Sequence, residues 1–185
     1  SLHDALPISA EFYFHKISLA LKVHRDWVLE CFKSDCEKIF SSAEINGHFH
    51  WILHLIGSDP EIFGLLSPYF QKEVASELQK IITGVTQFDL DNSIGTISKI
   101  PTLLSVINEN IRSLRTEQVV MIFKEHGQRS YFDEIFQRYC KARNWSETGV
   151  TGRILIVHNK HLSPEQIENI FVAFKNNHQI RTYIN

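Results

Sequence analysis

Three histidines, His48, His50 and His54, crowd one stretch of a chain that holds ten in 185 residues. Imidazoles four positions apart on a helix, as His50 and His54 are, project about 40° from each other and can share a zinc ion. A competent zinc site needs a third or fourth His, Cys or carboxylate ligand. None stands nearby at motif spacing, and His-Glu-x-x-His does not occur. His50 and His54 also fall nearly opposite the apolar positions Ile45, Phe49, Ile52 and Ile56, so the expectation is two imidazoles on a solvent face and no metal. Asp89-Leu-Asp91-Asn92-Ser93 has the acidic opening of a calcium loop. Its sixth position is Ile94 where glycine belongs and its twelfth is Ile100 where glutamate belongs, so these residues read as local turn formers instead. Cys31, Cys36 and Cys140 are an odd, sparse set among apolar neighbours, which points to reduced, buried thiols rather than a disulfide framework.

Arg153-x4-His158 resembles the Arg-x4–6-His motif of the HEPN family of α-helical RNases. That resemblance implies metal-free RNA cleavage, with His158 as acid and base and Arg153 stabilising the phosphate charge. With 8 arginines and 10 histidines, a pair at one of the allowed spacings arises about once by chance, and Ile154 stands where the family tends to place a polar residue. Gly149-Val150-Thr151-Gly152 is similar to the Gly-x-x-Gly loop of nucleic-acid-binding KH domains, but that fold needs a three-stranded sheet that the sequence does not offer. Distortion at a helix N-terminus or a helix-entry turn accounts for the two glycines. No phosphate loop, dinucleotide fingerprint or nucleophile elbow is present. The expectation is a non-catalytic chain with no cofactor.

Charge is unevenly placed. Residues 1–110 carry 8 Lys and Arg against 14 Asp and Glu, and residues 111–185 carry 11 against 7. The basic half would suit nucleic acid or an acidic partner, but its cations form no run, so a solvated face explains them. No stretch approaches the roughly 18 apolar residues of a membrane span, and a cytoplasmic location is expected.

The elements that must carry these groups are helical almost throughout. From Trp27, the apolar positions Val28, Cys31, Phe32, Cys36, Ile39 and Phe40 recur at i, i+3, i+4. A second stripe runs from Ile45 to Ile56 behind Ser41-x-x-Glu44, which has capping-box spacing. Asp59-Pro60-Glu61 and Ser67-Pro68 are helix starts in which an oxygen-bearing cap precedes a first-turn proline. Phe70, Val74, Leu78, Ile81 and Ile82 continue one face to Gly84. Residues 85–100 break the period and read as a linker or hinge, separating an N-terminal helical group (9–84) from a C-terminal one (101–185). Later helices follow Leu103 to Leu114, Val119 to Phe123, then Phe132 to Cys140 with Ser130 as cap. A last one follows Ser163-Pro164-Glu165-Gln166. Ile154-Leu155-Ile156-Val157 is short and β-branched enough for a strand. With no second strand signal to pair with, the expectation is a helix over 146–162.

Helix starts near residues 26, 42, 68, 102, 116, 130, 146 and 163 resemble the spacing of HEAT-type repeats, in which helix pairs stack their apolar stripes. The tail from Leu162 to Arg181 is similar to helix pairs that follow the catalytic cores of large bacterial proteins. The expected fold is all-α, stacked antiparallel helix pairs in a HEAT-like solenoid or an irregular bundle. Ser1 to Ile8 resembles one reading frame of a translated sequencing adaptor, and no initiator Met precedes it, so an upstream domain of a larger protein is expected. The function that fits is a scaffold or regulatory region binding protein partners, the missing upstream domain among them. A nucleic-acid-binding or HEPN-like module is the alternative. Trp51 falls off its helix's stripe and Trp145 sits just outside the preceding helix, and both are candidates for a partner surface or for covering a neighbouring helix.

Overall fold

The computed structural model describes residues 10–41, 49–90, 93–142 and 145–176. Residues 1–8, His48, Glu44, Ile45, Asp91, Asn92 and the tail beyond Asn176 lie outside the described residues, as do the side chains of Cys36 and Trp145. Among those described, all regular structure is helical: α1 (Ala10–Ser41), α2 (Phe49–Ser58), α3 (Glu61–Leu65), α4 (Pro68–Ile82), α5 (Ile94–Ile97), α6 (Pro101–Glu109), α7 (Thr116–His126), α8 (Arg129–Lys141), α9 (Trp145–Val157) and α10 (Pro164–Asn176). The all-α expectation holds, and Ile154–Val157 lies within α9 rather than in a strand.

Local chemistry sets several boundaries. Ser67 Oγ accepts the Phe70 amide at the start of α4, whose first residue is Pro68. Ser163 and Gln166 exchange reciprocal bonds of 3.0 and 3.1 Å at the start of α10. Gly127 closes α7 in the left-handed region at φ +61°, which a residue with a Cβ reaches only under strain. Three boundaries differ from expectation. α1 runs back to Ala10, and its period is blurred because apolar Leu19 and Val23 face outward among the exposed polar residues while Leu21 faces inward. α8 begins at Arg129 with Gln128 in the cap position, so Ser130 sits inside the first turn and does not cap it. The helix expected to reach 162 gives way after Val157 to a 3-10 turn over Asn159–His161.

The chain divides into two compact units, Ser1–Ser113 and Leu114–Asn185. In the first, α2 packs on α1, α3, α4 and α5, and α4 packs on α6. Ile52, Leu53, Leu55 and Ile56 are all fully buried, so α2 is apolar on every side its neighbours cover. The segment read as a linker, 85–100, lies within this unit and contributes buried Leu90, Ile94, Ile97 and Ile100. In the second unit α8 packs on α7, α9 and α10, and α7 on α9, around buried Phe123, Tyr131, Phe132, Ile135 and Leu155.

Arg25 fastens α1 to the turn between α2 and α3. Its Nε reaches Asp59 Oδ2 at 2.5 Å and its Nη2 reaches Glu61 Oε2 at 2.6 Å. These bonds, that to Asp59 above all, hold the guanidinium pKa above its ordinary value. Asp59 is buried and also accepts the Glu61 amide at 3.1 Å. Asp59→Ala removes that amide's acceptor at the entry to α3. It is expected to cost about 1 kcal/mol, as loss of a helix-terminal acceptor does, read as a lower denaturation midpoint with unchanged slope.

Candidate functional site

His50 and His54 are not on a solvent face. Both are half-buried. The His50 ring packs 4.8 Å from Phe88 and 5.4 Å from Trp51, and Trp51 stands edge-on to Phe88 at 5.4 Å and to His54 at 6.3 Å. The expectation fails because a stripe opposite the core is wet only when a helix has one neighbour, and α2 has four, with Phe88 laid over the remaining side. Trp51 serves as cover within its own unit. Among the described residues no group of three or more His, Cys, Asp or Glu is placed to hold a metal ion.

Burial holds the His54 pKa below its ordinary value of 6.5, with the nearby positive charges of His15 and Lys22 adding to the effect. The unfolded chain therefore takes up the proton first. At pH above the unfolded value both states are neutral and His54 contributes nothing. As the pH falls below about 6.5 the unfolded state gains relative to the folded one, until the folded imidazole titrates in turn. Stability should decline from pH 7.5 to 5.5, and His54→Gln should flatten part of that decline. Equal slopes in chemical denaturation would show that His54 is not responsible.

The second set of groups lies in the Leu114–Asn185 unit. Arg153 is exposed on α9. His158 lies just past the end of α9, half-buried, its ring edge-on to Phe123 at 5.0 Å. Another arginine dominates this corner. Arg129, at the start of α8, lies over the Phe132 ring at 5.3 Å, bonds Asp133 at 2.8 Å and Gln166 at 3.0 Å, and donates to the His161 carbonyl oxygen. His161 packs on Phe132 and stacks with His158 at 6.2 Å. The arrangement joins the start of α8 to the start of α10, and its guanidinium is spent on three protein acceptors. Sequence reading missed Arg129 and His161 because the bonds that tie Arg129 to the His161 carbonyl and to Gln166 span 32 and 37 residues.

Gly149 and Gly152 lie inside α9, not in a loop or a helix-entry turn. A Cβ at Gly152 would come 3.3 Å from the Tyr139 ring, so this glycine lets α9 approach α8 closely. Burial raises the pKa of neighbouring Cys140, which keeps its thiol protonated and a poor nucleophile.

The remaining candidate is a surface. α1 bends at His24, whose φ of −132° and ψ of 46° are not helical. Leu19, Val23 and Trp27 flank the bend with 43%, 73% and 68% of their surface exposed. Beside them a groove of about 300 Å³ is lined by Ile17 and Ala20 before the bend and by Trp27, Val28, Cys31 and Phe32 after it. Val28 and Phe32 are buried and form its floor. Exposed apolar surface that is continuous with a groove marks an interaction site more often than scattered single residues do. α10 also exposes Phe171 and Val172.

No family model matches this chain, and no match emerges among curated proteins or solved structures. No helix among the described residues is long and apolar enough to cross a membrane.

Proposed function

We propose that this chain is a non-catalytic helical scaffold or regulatory region of a larger cytoplasmic protein, binding protein partners through the outer face of α1. The exposed row Leu19, Val23 and Trp27 beside an apolar groove carries the reading. A tryptophan with most of its surface in water costs hydration free energy that a partner would recover, and such residues anchor interfaces. An amphipathic helix with apolar side chains at i, i+3 or i+4, and i+7 has the shape to lie in the groove. Cys140 is a free thiol, which suits a reducing compartment.

Selection of displayed peptides tests this. Wild type should enrich amphipathic helical sequences that Trp27→Glu and Val23→Glu no longer retain, with the circular dichroism of both variants unchanged. Equal enrichment on wild type and variants would remove the α1 face from the reading. RNA incubated with wild type and with His158→Ala should show no difference. Cleavage by wild type that His158→Ala abolishes would replace the scaffold with a nuclease.

A further inference from the structure

We infer that the limb of α1 before His24 is an acid-released flap, which lies against α2 at neutral pH and lifts about the bend when His54 takes up a proton. What the flap does to the groove rests on the reading of the α1 face above; its motion follows from how unequally the two limbs are held. After the bend, Arg25 bonds Asp59 and Glu61 at the turn between α2 and α3, and Val28, Leu29 and Phe32 are buried. Before it, among the described side chains, only Ser18 and Leu21 are buried. Ser18 is a poor anchor, because its hydroxyl is buried without a hydrogen-bond partner and a polar group left so opposes its own burial. His24, exposed and outside helical geometry, separates the limbs, so one can swing while the other stays in place.

Charge decides when it swings. His15, Ser18 and Lys22 stand at i, i+3 and i+7, one side of the limb, within a stretch that ends before the bend. The positive charges of His15 and Lys22 both act on half-buried His54 of α2. The other elements packed on α2 bring no carboxylate to offset them: Glu61 of α3 is engaged by Arg25, Glu77 of α4 by Lys80, and α5 has no charged residue. His50, one turn earlier on α2, packs on Phe88. With the flap down, a proton on His54 would be half-buried beside two cations; with the flap up it is free of both. Above the ordinary value of 6.5 His54 is neutral in either position and the flap stays down. Below it, the lifted form binds the proton more tightly and gains population. Ile17 and Ala20 line the groove from the limb that lifts, so acid dismantles that wall and releases whatever the groove holds at neutral pH.

Amide hydrogen exchange of the whole chain at pH 7.5 and 5.5, corrected for the intrinsic pH dependence of exchange, reads the motion. Isolated helices shorter than about 12–15 residues are marginal in water, so a lifted limb ending at Val23 frays and loses protection. Residues 15–22 should be less protected than residues 28–32 at both pH values, and their protection should fall severalfold on acidification. His54→Gln should abolish most of that fall. Lys22→Gln, on an exposed side chain, should reduce it and serves as the second variant if His54→Gln folds poorly. Ser18→Ala should raise the protection of residues 15–22 at both pH values, because it removes the unpaired hydroxyl. Equal protection of the two limbs would show that they open only together, and a fall that survives His54→Gln and Lys22→Gln would show that another group drives it; either result overturns the flap. Exchange is read here instead of binding, so a failed peptide selection would leave the flap standing, and a failed flap would leave the α1 face as a protein-binding surface.

Discussion

Phe132→Ala is expected to lower stability by about 3–5 kcal/mol, enough to unfold much of the Leu114–Asn185 unit at room temperature. Phe132 is 1% exposed, and its ring meets three different partners: Phe123 at 5.8 Å, His161 at 5.7 Å and the Arg129 guanidinium at 5.3 Å. Truncation leaves a cavity at the centre of the unit. It also takes from Arg129 the aromatic face that orients it toward Asp133 and Gln166, so the start of α10 should loosen as well. Phe132→Leu, which keeps most of the volume, should cost roughly a third as much. Denaturation midpoints followed by near-ultraviolet circular dichroism measure both. A loss under about 1 kcal/mol for Phe132→Ala would mean that this corner is not packed as described.

Gly57→Ala should destabilise by about 1–3 kcal/mol, against the usual helical trend in which alanine replaces glycine with a gain of about 1 kcal/mol. A Cβ at Gly57 would stand 2.3 Å from Ser93 Cβ, 2.6 Å from Ser93 Oγ and 3.2 Å from Ser93 Cα. The clash is with atoms at and next to the backbone, so a side-chain rotation cannot relieve it, and α2 and α5 must part. Two controls isolate the cause. Ser93→Gly removes the two closest atoms, so Gly57→Ala/Ser93→Gly should recover part of the loss. Gly64, in α3, has nothing within 4 Å of its would-be Cβ, and Gly64→Ala should be neutral or stabilising.

The helices with strong end signals were legible. Ser67-Pro68, Ser163-Pro164-Glu165-Gln166 and Gly127 mark boundaries through local bonds that a reader of the chain can count residue by residue. What stayed hidden depends on neighbours far along the chain. A helical wheel places His50 and His54 opposite the stripe but does not reveal that α2 has four neighbours and Phe88 besides, so their half-buried state could not be read. Residues 94–97 are too few to show a period, yet Ser93 at their start stands close enough to α2 to demand glycine at 57. Arg129 gives no local sign of its bonds to the His161 carbonyl and Gln166, and the first half of α1 hides its period because Leu19 and Val23 stand on its outer side among the polar residues.

The way α10 is attached bears on how the molecule opens. It rests chiefly on α8, is tied by polar bonds at its first turn, and turns Ile167, Phe171 and Val172 toward water. So little buried area means that the α10 amides should trade their protons for deuterium through small local excursions, long before those of α2, which become accessible only when the whole Ser1–Ser113 unit comes apart.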